Sequence, residues 1–103
     1  AYVHWWEATS GLAALRSGNL VAALAHFEAA LYRAPGFRAA MRNLLFLYLA
    51  ADEREKAARV YRELMRSEPD FTLDRILNEP LYPAVTLRQS GLLTRYGDQL
   101  ATL

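Results

Sequence analysis

The side chains with which this chain could do chemistry are two histidines, eleven carboxylates, two early serines and five glycines. His4 and His26 stand twenty-two residues apart, and no cysteine accompanies them. Zinc needs ligands that converge, at short fixed spacings. The bland reading of each histidine, a surface or helix-edge imidazole, is therefore the better one. The carboxylates are scattered, and no pair is singled out for general acid–base work. Ser10 and Ser17 lack the strand–turn–helix context that exposes a nucleophile. Gly11, Gly18, Gly36, Gly91 and Gly97 form no phosphate-cradling run. The residues imply no catalytic site, cofactor or metal. They leave binding by surface shape.

Composition narrows what could be bound. Twelve basic residues against eleven acidic give a net charge of +1, which lacks the electrostatic signature of a phosphate-backbone binder. RNA reading by helical repeats is a third-ranked class for the same reason. The absence of cysteine removes a disulfide framework and is compatible with the cytoplasm, the expected location. The longest apolar run, 44–51, is far short of the roughly 20 residues that span a bilayer. No signal peptide is visible, and no membrane role is expected. Arginine over lysine and alanine over isoleucine suggest a GC-rich bacterial genome. The chain opens on Ala1 within an apolar, aromatic stretch, so it is expected to be a piece of a larger protein.

The elements that would carry such a surface repeat. Pro35-Gly36-Phe37 returns as Pro69-Asp70-Phe71, thirty-four residues later. The same offset sets Ala14 on Tyr48, Ala23 on Ala57, Phe27 on Tyr61 and Leu31 on Met65. Between 20 and 34 the apolar positions Leu20, Ala23, Leu24, Phe27, Ala30, Leu31 and Ala34 follow the three–four spacing of one helix face. Gly18 can take a left-handed helix stop, Asn19 can cap the next helix, and Pro35 ends it. In the second unit Asp52 replaces that glycine, and Asp52 with Glu55 has the spacing of a capping box. Ala57, Val60, Tyr61, Leu64 and Met65 are the expected buried face of the following helix. The charges from Glu53 to Arg66 read as its solvated face, with Glu55–Arg59 and Arg59–Glu63 four apart. The segment from about Arg38 to Ala51 is apolar nearly all round, which predicts a central helix buried on more than one side.

With this period the chain resembles the tetratricopeptide repeat family, whose pattern runs W-x2-L-G-x2-Y, A-x3-F, A, P. Gly11, Ala23, Phe27, Ala30 and Pro35 match in the first unit. Leu44, Tyr48, Ala57, Tyr61 and Pro69 match in the second. Glu7, Ser10 and Ala14 depart from the pattern, as do Met41, Leu45 and Leu64. The resemblance implies an all-α fold: two tandem helical hairpins, 4–35 and 37–69, then a capping helical segment, 70–103, in one domain spanning 1–103.

It also implies where binding would occur, because the first helix of each hairpin lines the family's concave groove. The corresponding positions here are Trp5, Ala8, Leu12, Leu15 and Arg16, then Arg42, Asn43, Phe46, Leu49 and Ala50. Trp5, Leu12, Arg16, Arg42, Asn43, Phe46 and Leu49 are the expected partner-binding set. Such a surface, apolar with two guanidinium groups, suits an amphipathic helix or a peptide bearing a carboxylate. The family's chaperone-tail clamp uses several groove lysines, and these are missing. Of the adjacent Trp5 and Trp6, one is expected in the core and the other in the groove or under a neighbour.

The remaining stretch carries a short helix after Pro69-Asp70-Phe71-Thr72 and a break at 78–80. A last helix is expected from Pro83 to Tyr96, stopped by Gly97. Pro69-Asp70-Phe71-Thr72 and Pro80-Leu81-Tyr82-Pro83 make this tail similar to the C-terminal ends of bacterial regulators. In those proteins tetratricopeptide repeats follow an adenylate/guanylate cyclase or winged-helix domain. The function this implies is protein–protein interaction or self-association in signalling, without catalysis in this domain. The partner would be a protein or peptide, including a second copy. The alternative is a structural spacer whose groove is filled by its own last helix, since two repeats are fewer than the three usually needed for stability.

Overall fold

A computed structural model of the chain describes residues 3–69, 72 and 89–103. Four helices form two antiparallel hairpins: α1 (Val3–Arg16) with α2 (Leu20–Arg33), and α3 (Arg38–Ala50) with α4 (Arg54–Ser67). A fifth, α5 (Leu92–Tyr96), continues into a 3-10 helix, Gly97–Thr102. Among the described residues there is no strand.

The first hairpin closes on a contact that only glycine permits. α1 buries Ala8, Gly11 and Leu15, and α2 buries Ala23, Phe27 and Ala30. A Cβ on Gly11 would stand 2.8 Å from the Phe27 ring, closer than real atoms approach. Glycine inside a helix costs about 0.5–1 kcal/mol relative to alanine. Here it lets the Phe27 side chain, 1% exposed, seat fully. Burying such a side chain is worth about 1.5–3 kcal/mol, which outweighs the cost of the glycine.

Both hairpins turn in the same way with different residues. Gly18 stands at φ +81°, and the Asn19 N–H donates to the Ala14 carbonyl at 2.9 Å. One period later Asp52 stands at φ +58°, and the Glu53 N–H donates to the Tyr48 carbonyl at 2.8 Å. Asn19 also caps α2, its Oδ1 accepting from the Ala22 N–H at 3.1 Å. The expected capping box at Asp52 and Glu55 does not form. Asp52 is used up by the left-handed turn, and the cap of α4 is Glu53, with no side-chain cap hydrogen bond.

α3 is the central helix. Its ten consecutive residues from Ala40 to Leu49 are all buried, because α2, α4 and α5 each pack against it. α4 lies at the outside and buries only Ala57 and Leu64 along its length. Its exposed face carries the ion pairs Glu53–Lys56 at 4.0 Å and Glu63–Arg66 at 3.0 Å, three residues apart rather than four.

The single last helix expected from Pro83 to Tyr96 is interrupted: Gly91, at φ +80°, stands immediately before α5. The α-helix ends at Tyr96 as expected, with Gly97 as its cap, but Gly97 does not turn the chain away. It keeps right-handed helical angles, φ −56° and ψ −38°, and passes α5 into the 3-10 helix. The other expectations for 70–71 and 73–88, including the helix after Thr72 and the break at 78–80, lie outside the described residues.

Candidate partner-binding surface

The expected groove residues divide sharply by repeat. On α1, Trp5 is 54% exposed, Leu12 is half-buried and Arg16 is exposed. On α3, Arg42, Asn43, Phe46 and Leu49 are all buried, Phe46 completely. Ala8 and Leu15 belong to the core of the first hairpin, and Ala50 is half-buried. The open part of the surface therefore lies on the first hairpin.

Trp5 anchors an aromatic group at the mouth of that surface. Its ring meets Phe37 edge-on at 5.1 Å, and His4 meets Phe37 at 5.3 Å, also edge-on. Phe37 precedes α3, so the group ties the start of α1 to the start of the second hairpin. Edge-to-face pairs at this separation are favourable for rings with positive edges and negative faces. Sequence reasoning passed over Phe37 as a contact residue. Its signal was the proline–x–phenylalanine motif, which had served only to mark the period.

Neither tryptophan is core, contrary to expectation. Trp6 is 74% exposed. The buried stripe of α1 runs through Ala8, Gly11 and Leu15, and Trp6 falls on the opposite side with Thr9 and Ala13, both exposed. Trp5 lies on the stripe but one turn before the packed region, so it is covered on one side only. Val3, 43% exposed, extends the same apolar area. Exposed tryptophan beside exposed valine makes this end of α1 the candidate contact area.

Arg42 does not present a free guanidinium. Its Nη2 and Nε donate to the Glu68 carboxylate, the Nε bond at 3.5 Å, and Arg38 stands 3.8 Å from the same carboxylate. Glu68 caps α4, its N–H donating to the Leu64 carbonyl at 2.7 Å. The carboxylate that α3 seemed to await from a ligand is thus supplied within the chain. Asn43 donates through Nδ2 to the Ala39 carbonyl at 2.8 Å, while its buried Oδ1 receives no hydrogen bond from the described residues.

Three sets of side-chain bonds hold the surrounding elements in register. Glu7 and His26 meet at 3.0 Å and join α1 to α2. Tyr48 donates its hydroxyl to Glu28 at 2.7 Å and joins α3 to α2. Burial and the Glu28 carboxylate push the Tyr48 hydroxyl well above its ordinary range. Arg54 donates to Gln99 at 3.0 Å and to the Thr102 hydroxyl at 2.5 Å, joining α4 to the 3-10 helix. Among the described residues no cluster of three or more His, Asp or Glu side chains could hold a metal ion, and no helix is long and apolar enough to cross a membrane.

No curated protein and no solved structure matches the chain. A family model does match, over residues 14–76, more than half of the chain, and it describes the tetratricopeptide repeat. Within that span α2, α3 and α4, the turns at Gly18 and Asp52 one period apart and the small residues Ala23 and Ala57 are the physical content of the match, and the chain belongs to the tetratricopeptide repeat family.

Proposed function

We propose that the chain is a protein-interaction module of a bacterial regulatory or signalling protein, working in the cytoplasm and binding through the concave face of its repeats. Tetratricopeptide repeats generally mediate contacts between proteins, and this reading specifies the surface. The observation that carries it is the exposure of Trp5 on the first helix, on the same helix face as half-buried Leu12 and exposed Arg16; Trp6, also exposed, stands on the outer side of that helix. The partner is a protein or peptide, including a second copy of the chain; the near-neutral charge favours neither nucleic acid nor an anionic membrane. Arg16 supplies the cation for an acidic group on that partner. Arg42, Asn43, Phe46 and Leu49 belong to the same face and make contact only where the second hairpin is uncovered. The module binds and does not catalyse.

The test is the assembly of the full chain against that of Trp5→Ala/Trp6→Ala and of Arg16→Glu. All three side chains are exposed; Trp6→Ala and Arg16→Glu should change folding by no more than about 0.5 kcal/mol each, and Trp5→Ala, which gives up the Phe37 contact, by up to about 1.5 kcal/mol. Folded variants that assemble as the parent does would remove α1 from the binding surface. A second reading, a structural spacer, is favoured by one observation: α5 packs against α3, the helix that carries half of the expected groove. A chain that stays monomeric and binds no protein segment fits that reading instead.

A further inference from the structure

The C-terminal segment is attached to the second hairpin in a manner unlike the hairpins' own packing. It buries Leu92, Leu93 and Leu100 in the common core, 5%, 2% and 7% exposed. Yet it consists of one five-residue helix and a six-residue 3-10 helix, both too short to hold themselves. Its polar fastening is at the surface, where the Arg54 guanidinium reaches both Gln99 and Thr102. An open pocket of about 380 Å³ lies beside it, lined by Tyr61 and Met65 of α4, by Thr72, and by Gly97, Leu100 and Ala101. The segment begins at Gly91, whose φ of +80° and open surroundings suit a pivot.

We propose that Leu92–Leu103 is an intramolecular ligand: it opens as a unit about Gly91, and the seat it leaves on α3 and α4 receives an amphipathic segment of the same chemistry from another protein. That chemistry is a leucine pair, a third leucine eight residues after the first, and hydrogen-bonding side chains placed for Arg54. The proposal rests on the reading of the chain as an interaction module, and it adds that half of the binding face is closed by the chain itself. The open state is a minority of molecules, so the apparent affinity for an incoming segment is reduced by the open fraction.

Two experiments test it. The first is amide hydrogen exchange on the unaltered chain. The Arg95 N–H donates to the Gly91 carbonyl at the pivot and the Leu103 N–H to the Leu100 carbonyl, and helices this short do not keep such bonds once they leave the core. These amides should exchange together, at least about tenfold faster than the amides of α3. Protection equal to that of α3 overturns the proposal.

The second is titration of full-length Leu93→Asp with a synthetic peptide of residues 89–103. That chain should bind the peptide at least about tenfold more tightly than the parent, because its own segment no longer competes. The same peptide bearing Leu93→Asp should not bind, and Arg54→Ala in the Leu93→Asp chain should weaken binding severalfold. Equal binding by both chains, or none by either, overturns the proposal. A Leu93→Asp chain that loses its helix content overturns it too, since the segment is then part of one cooperative core. Repeating the titration with Trp5→Ala/Trp6→Ala added separates the two surfaces. Peptide binding that survives these changes belongs to the second hairpin, whatever becomes of assembly through α1.

Discussion

At the scale of single residues the two repeats solve one packing problem in two ways. Gly11 leaves room for Phe27, and one period later Leu45 takes the place of the glycine. A leucine there fills the room that an equivalent ring would use. Tyr61 is accordingly half-buried and lines the open pocket beside the C-terminal segment. Gly11→Ala should therefore destabilise the chain by about 1–3 kcal/mol through overpacking, although alanine is the better helix former. Chemical unfolding measures this, and Phe27→Leu in the same chain should recover part of the loss. Tyr48 gives a second test at this scale. Its hydroxyl is held protonated in the folded chain well above the ordinary tyrosine range, while the unfolded chain releases that proton near pH ~10. The unfolded state thus binds fewer protons above that pH, and stability falls as pH rises, by up to about 1.4 kcal/mol per pH unit for this group. Tyr48→Phe should flatten that part of the stability–pH curve, read by urea unfolding between pH 9 and 11 (a window of about two units around the ordinary value).

At the scale of elements, what the sequence made legible is what local chemistry dictates. The turn at Gly18, the cap at Asn19 and the all-round apolar pattern of α3 each follow from residue type and spacing, and each is present. Asp52 in a left-handed turn was legible from its place one period after Gly18. The groove was legible only as a set of positions. Whether a position on α3 is open depends on what packs over it, and part of that cover is α5, more than forty positions away in the chain. Arg42 shows the difference: its place on α3 follows from the repeat, but its partner Glu68 is a helix cap twenty-six residues on, at the position where the first repeat has Ala34, and only the folded chain brings the two together. Glu68→Ala removes a charge-assisted hydrogen bond to a buried guanidinium and should lower stability by about 1.5–3 kcal/mol, measured by thermal and chemical unfolding. A loss below about 1 kcal/mol, the range of an exposed pair, would show that the pair does not hold α3 to the end of α4.

At the scale of the whole molecule, the proposed face is in two conditions, its α1 positions open and its α3 positions covered. Trp5 and Trp6 are the chain's only tryptophans, and both are exposed on α1, Trp5 on the proposed face beside Phe37 and Trp6 on the outer side. Tryptophan fluorescence therefore reports on this helix and what covers it. The measurement that tests the central claim most directly is molar mass by light scattering over a wide concentration range, followed with tryptophan emission. Self-association through α1 predicts a mass that rises from the 11.7 kDa of one chain toward that of two. The emission should shift to shorter wavelength in step, and both changes should be absent in Trp5→Ala/Trp6→Ala. A mass of one chain at every concentration, with emission that never leaves that of solvent-exposed tryptophan, would contradict self-association through this helix and favour the spacer.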